Sequence, residues 1–332
     1  MNSIRKHNPI RHASHPHVRY RPAGEAQALL EASGTLAVLG FGMPAASASD
    51  PRLLNVPLQA LSGPAAAVCE HWRIDATVEY GRTDGMQWAA GGGWLFAGLS
   101  LDEREHGGLE AAAETAYRQL CGFLARRPEC HVQRMWNYLA DINAGDGDDE
   151  RYKRFCAGRL RGMSDVFAGG FPAATAIGHR LEAPLLQVYC LASLQAGARV
   201  ENPRQMSAWH YPRRYGPTPP SFARGMRLGG EDALAISGTA SITGHQSRHP
   251  GNLQAQLAET LANLEALLRE GGLPTHFTAE DPLKVYVRHA EHAATVDAFL
   301  AEHVPHAPRL LLLGDVCRRE LLVEIDGWRY VH

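Results

Sequence analysis

Apolar positions in the last third of the chain follow two alternating periods. Leu253, Leu257, Leu261, Leu264, Leu267 and Leu268 fall at helical spacing and predict a helix over 253–268, with Gly271-Gly272 to end it. Shorter apolar runs at 283–287, 309–313 and 321–325 read as strands, and a second helix is expected over 293–303. The segment opens with a strand, 235–242, that breaks at Gly238 into small hydroxylated residues. An isolated glycine in a strand marks a bulge or the close approach of a ligand or another backbone.

The same order occurs earlier in the chain. Residues 94–100 match 235–240, and 132–139 match 282–289. Residues 108–124 match 252–268, with Ala-Glu-Thr in register at 113–115 and 258–260. A helix over 150–160 and a strand over 185–194 complete the first copy. Self-similarity of this kind marks an internal duplication. Ahead of it, a short helix is expected over 25–33 and a strand over 35–41. The expected plan is a basic, loosely ordered tail (1–24), a first unit (25–200), a connecting loop (201–230) and a second unit (231–332). The fold class is α/β: two tandem units, each a mixed sheet backed by two helices.

Candidate chemistry concentrates in the second copy. Glu324 lies in a run that reads as a buried strand, and a carboxylate taken out of water must be paired or stay protonated. Arg309, fifteen positions upstream, is the expected cationic partner for a bound acid. Aligning the closing strands of the copies sets Ala174 opposite Arg309 and Tyr189 opposite Glu324. The first copy therefore lacks both groups and reads as scaffold, with at most one wall of a pocket. Between the copies, four prolines after Pro203 exclude a helix, while Trp209, Tyr211, Arg213, Arg214, Tyr215 and Arg224 crowd one loop. A stiff loop presets its side chains at low entropic cost, which suits a binding wall.

Composition narrows the function classes. The chain has 332 residues, enough for two cores, and a formal net charge of -2 that gives no reason to expect nucleic acid as a partner. No apolar run approaches the roughly 18 residues of a membrane helix, and the basic N-terminus has no apolar core of a secretory signal. Glycine clusters at 40–42 and 91–93 lack the spacing of nucleotide-binding loops. Six scattered cysteines without C-x-x-C spacing read as reduced thiols of a cytoplasmic protein. His15 and His17 have no suitably spaced acid or cysteine beside them, so neither a metal nor an organic cofactor is expected.

The order of Ser-Gly strand, helix, strand, helix, Arg-led strand and Glu-bearing strand resembles the YjgF-like (chorismate-mutase-like) superfamily. There an Arg grips a substrate carboxylate and a Glu fifteen residues later acts near the reacting centre, the places held by Arg309 and Glu324. Four longer stretches narrow the resemblance. They are Arg-Met-Trp-Asn-Tyr-Leu-Ala-Asp-Ile-Asn at 134–143, Tyr-Pro-Arg-Arg-Tyr-Gly-Pro-Thr-Pro-Pro-Ser-Phe-Ala-Arg at 211–224, Ser-Gly-Thr-Ala-Ser-Ile-Thr-Gly-His at 237–245 and Gly-Asp-Val-Cys-Arg-Arg-Glu-Leu-Leu-Val-Glu at 314–324. Together they look like the chorismatases, over nearly the whole chain after the tail.

The resemblance implies cleavage of chorismate to pyruvate and hydroxybenzoate, or in another branch hydrolysis to a dihydroxycyclohexadiene acid. It implies Glu324 as the acid that protonates the enolpyruvyl methylene. A dicarboxylate calls for bidentate arginines, so Arg309 and Arg224 are the expected contacts, with Arg214, Tyr211, Tyr215 and the bend Gly238-Thr239-Ala240 lining the pocket. Cys317 matches the cysteine of the hydroxybenzoate-forming branch, whereas Ala240 resembles the hydrolytic branch; the mixture points to a branch forming 3- and 4-hydroxybenzoate together. The competing class is an enamine or imine deaminase of the wider superfamily. A homotrimer, as in superfamily relatives, and a monomer both stay open.

Overall fold

In the computed structural model, residues 15–43, 49–61, 67–229 and 233–331 are described; the first fourteen residues of the expected tail lie outside them. The N-terminal stretch forms β1 (His17–Pro22), β2 (Thr35–Phe41), β3 (Leu53–Val56), β4 (Gln59–Ala60) and β5 (Val68–Arg73), with the short helix α1 (Ala26–Glu31) before β2. Four of these strands make a small sheet in the order β1-β5-β2-β3. β1 corrects the expected tail. Val18 and Tyr20 alternate with Arg19 and Arg21, a run too short to stand out among the basic residues around it, and the strand is ordered by antiparallel pairing to β5, with Tyr20 opposite Glu70.

The first repeat comprises β6 (Glu79–Thr83), β7 (Met86–Gly91), β8 (Trp94–Asp102), α2 (Leu109–Leu124), β9 (His131–Ala140), α3 (Arg151–Gly162), β10 (Ala173–His179) and β11 (Leu185–Ser193). The second comprises β12 (Ala198–Val200), β13 (Gly225–Arg227), β14 (Ala233–Ala240), α4 (Leu253–Glu270), β17 (Leu283–Val287), α5 (Ala293–His303), β18 (Arg309–Leu313) and β20 (Val323–Tyr330), with a small hairpin of β15 (Ile242–Thr243) and β16 (Gln246–Ser247) after β14. Within the first sheet the order is β10-β9-β11-β8-β7-β6, and within the second β18-β17-β20-β14-β13-β12. The two orders superimpose strand for strand, the expected duplication in topological form. Each sheet is extended at one edge from outside its own repeat: β19 (Asp315–Val316) joins β10, and β4 joins β18.

The sheets face each other across one apolar core and each carries its helices on the outer side. Alternation along β20 makes this legible: Val323 and Ile325 pack in the helix-side core with Leu257 and Leu264, while Trp328 and Tyr330 pack in the inter-sheet core with Trp72, Trp136 and Tyr189. β18 alternates likewise, with Leu311 on the helix side and Leu310 and Leu312 between the sheets. Helix α3 lies unusually close to α2, because a Cβ on Gly158 would meet the Glu110 carbonyl oxygen at 2.0 Å and one on Gly162 the Glu114 oxygen at 2.4 Å. Two glycines four residues apart form one bare stripe, and that stripe sets the depth at which the adjoining face of α3, which carries Arg159, enters the site.

Candidate active site

A cavity of about 240 Å³ opens where β10 of the first repeat meets β14 of the second. Its walls are Ala174, Thr175 and Ala176 from β10, Gly238 and Ala240 from β14, Glu324 from β20, one face of α3, and the proline-rich loop. The seam is closed by Ser237, whose hydroxyl accepts from the Ala174 N–H at 2.9 Å and donates to the Ala223 carbonyl at 2.6 Å.

Glu324 is 5 % exposed and projects into this cavity. Burial pushes its carboxyl up to about 8, reinforced by Asp326 two residues along the strand and opposed by Arg134, Arg224 and Arg288. At neutral pH it is a carboxylic acid with a proton to give. Room for it exists only because its neighbour on β14 is glycine: a Cβ on Gly238 would stand 1.9 Å from Oε1 of Glu324. The β14–β20 ladder shifts register between Ile236 and Thr239, so the bulge inferred from Gly238 is present.

Cations surround the acid. Arg224, 3 % exposed, donates through one terminal nitrogen to the Met206 carbonyl at 2.8 Å and to the Tyr211 hydroxyl at 2.7 Å, and its Nε has no partner among the described residues. Arg214 donates to His245 Nδ1 at 2.7 Å and to the Tyr215 hydroxyl at 3.2 Å. Arg318 stacks over Tyr215, 4.1 Å from the ring centre. Cys317 lines the wall beside Glu324 and α3, and burial pushes its thiol up to about 12, so it stays a thiol and is no ready nucleophile.

The cavity also holds a cation that the sequence reading passed over. Arg159 is 3 % exposed, lies 5.1 Å over the Tyr117 ring, and has Nε and one terminal nitrogen without a partner among the described residues. A buried guanidinium with open donors is costly unless an anion completes it. Tyr152, Cys156 and Arg159 fall at helical spacing on one face of α3. The available signal was an arginine on the apolar face of a helix whose Gly158 and Gly162 demand close packing. Tyr152, Lys153, Thr175 and Phe222 line the same space and were likewise not singled out.

Two expected contacts are corrected. Arg309 shares the helix-side face of β18 with Leu311, whereas Glu324 points between the sheets, so the two are on opposite faces. Its guanidinium is held instead by Asp297 of α5 at 2.6 Å. Fifteen residues of separation carried no information about face, which the parity of each strand decides. Thr239 is buried outside the cavity lining, its hydroxyl donating to the Ser237 carbonyl at 2.9 Å, because the bulge turns it away while leaving Gly238 and Ala240 at the wall. The first repeat is also more than scaffold, since it supplies Arg159, Tyr152 and Thr175.

A family described as "Chorismatase FkbO/Hyg5-like, N-terminal" matches residues 70–192. A 3-hydroxybenzoate synthase of Streptomyces hygroscopicus is 37 % identical over 276 residues, covering 78 % of this chain and 80 % of that protein. A chorismatase of Streptomyces rapamycinicus is 35 % identical, covering 78 % and 81 %. The crystal structure of a chorismatase at 1.08 Å resolution superimposes with a TM-score of 0.82 at 29 % identity, over 95 % of this chain and 98 % of that one.

Proposed function

This chain belongs to the chorismatase family, and from that premise we propose that it cleaves chorismate to pyruvate and hydroxybenzoate, with Glu324 as the proton donor. One observation carries the reading: a buried carboxyl, raised by desolvation, and two buried guanidinium groups with N–H donors that have no partner among the described residues share a single cavity. A ring dicarboxylate bearing an enol ether requires that combination.

In the proposed mechanism Arg159 and Arg224 take the two carboxylates, assisted by Arg214 and the hydroxyls of Tyr211 and Tyr215 at the mouth. Glu324 delivers its proton to the terminal methylene of the enolpyruvyl group, generating an oxocarbenium ion. Attack of the substrate's own 4-hydroxyl on the ring then expels pyruvate, and opening and aromatisation of the resulting epoxide give hydroxybenzoate. The atoms of chorismate equal those of the two products, so no oxidant or added water enters the balance. Cys317, a neutral thiol on the wall, stands where ring chemistry and the approach of water would be decided. Both 3- and 4-hydroxybenzoate are assigned as products, made in the cytoplasm, with six free cysteines in keeping with a reducing compartment. Among the described residues no helix is long and apolar enough to cross a membrane.

The test is chromatographic analysis of a chorismate incubation with chelator present. Equal amounts of pyruvate and hydroxybenzoate are expected. Pyruvate with a diene diol would move the chain to the hydrolytic branch, and ammonia release from an enamine, with chorismate untouched, would favour the deaminase reading.

A further inference from the structure

The mechanism above uses one of two buried acids on the same strand face. Asp326 follows Glu324 by two residues on β20, so about 7 Å of strand separates them and both point between the sheets. Asp326 is 0 % exposed. Its Oδ2 accepts from the Tyr286 hydroxyl at 2.8 Å, the Thr175 hydroxyl at 2.8 Å and the Trp136 indole at 3.1 Å, and Arg134 pairs with it at 3.0 Å. Oδ1 has no partner among the described residues. Four donors converge on one oxygen of a group that never reaches the cavity.

The network nevertheless ends at the cavity wall. Thr175 lines it, and its hydroxyl, which accepts from Arg134 at 2.5 Å and donates to Asp326, lies 3.3 Å from the point where a Gly238 Cβ would stand. One donor, Arg134, and one acceptor, Asp326, fix that hydroxyl beside Glu324, and the charge behind it is fixed with it.

We propose that Asp326 is a positioning residue for the reaction: its buried negative charge, held by Arg134, Tyr286, Trp136 and Thr175, keeps Glu324 in the protonated, donating form. The proposal rests on the reading of Glu324 as the acid. The other charged or titratable groups acting on Glu324 are Arg134 from β9, Arg224 from the loop and Arg288 after β17, all opposing Asp326; Cys317 and Tyr152 are electrostatically coupled to it. Among these charges Asp326 is the one that disfavours a carboxylate at position 324, and three arginines without it would ionise the acid. Arg134 serves both sides: it pairs with Asp326 and still draws Glu324 toward the carboxylate.

The experiment follows Glu324 itself in the full chain, by the difference-infrared carboxylic C=O band that Glu324→Gln removes, titrated in wild type, Asp326→Asn and the charge-balanced double variant Asp326→Asn/Arg134→Met. The midpoint is expected to fall by about one pH unit or more in the single variant, the scale of a unit charge at about 7 Å in a medium of intermediate dielectric. It is expected to fall less in the double variant, where an opposing charge is also lost. If the single variant does not fold, the double variant, which strands no lone charge, decides by the same direction. A midpoint unchanged or raised in a folded variant overturns the proposal. The alkaline limb of pyruvate release is expected to move with the band. A shifted band without pyruvate from any form would sink the chorismate reading and leave Asp326 in its role.

Discussion

A Cβ added to Gly238 would stand 1.9 Å from Oε1 of Glu324, so the glycine of β14 and the acid of β20 occupy adjoining space that admits no methyl group. The obstructing atom is the end of a flexible side chain, so the backbone can keep its course while the carboxyl swings away. Gly238→Ala is therefore expected to fold, losing under about 2 kcal/mol, and to lose roughly 100-fold or more in turnover because the proton donor is displaced. Thermal melts beside steady-state kinetics check both halves.

Arg159 gives an expectation of opposite sign for stability and binding. Its Nε and one terminal nitrogen have no partner among the described residues and suit a ligand anion, so Arg159→Met is expected to leave the melting temperature unchanged or raise it, while weakening substrate binding by roughly 10- to 100-fold. Calorimetry of the free protein and KM for chorismate are the measurements.

Arg309, paired with Asp297 on the helix side of the sheet, is expected to be dispensable. Arg309→Gln should leave kcat/KM within about twofold and stability within about 0.5 kcal/mol. A large kinetic loss would return Arg309 to the site.

The raised Glu324 carboxyl fixes a pH dependence with a definite sign. Its folded-state value, about 8, lies above that of an ordinary glutamate, so between the two the folded protein holds a proton that the unfolded chain has released. Glu324 therefore contributes stability that is fully present below the ordinary glutamate range and is lost as pH rises through about 8. Glu324→Gln removes that slope: compared with wild type, it is expected to gain stability at pH 8 relative to pH 4, as read by denaturant melts at the two pH values.

Much of this architecture was legible in the chain. The helical leucines of α4, the apolar runs of β17 and β18 and the repeat itself follow from periodicity, and the structure returns them almost residue for residue. The buried acid at 324 and the close approach at Gly238 were legible because each breaks a local pattern. What stayed hidden depends on tertiary geometry. Arg309 looked like a substrate-binding cation beside Glu324 because sequence distance says nothing of which face a strand presents. Arg159 looked like one basic residue in a basic helix until the packing of Gly158 and Gly162 against α2 set its depth. β1 offers only Val18 and Tyr20 between arginines, a pattern too short to read alone, and takes its order from β5.

The most direct test of the central claim compares pyruvate release from chorismate by wild type and Glu324→Gln under single-turnover conditions at neutral pH, with substrate binding measured in parallel. Full release by wild type is expected, with a loss of at least about 1,000-fold in the variant at nearly unchanged affinity. A variant that releases pyruvate at the wild-type rate would contradict Glu324 as the proton donor.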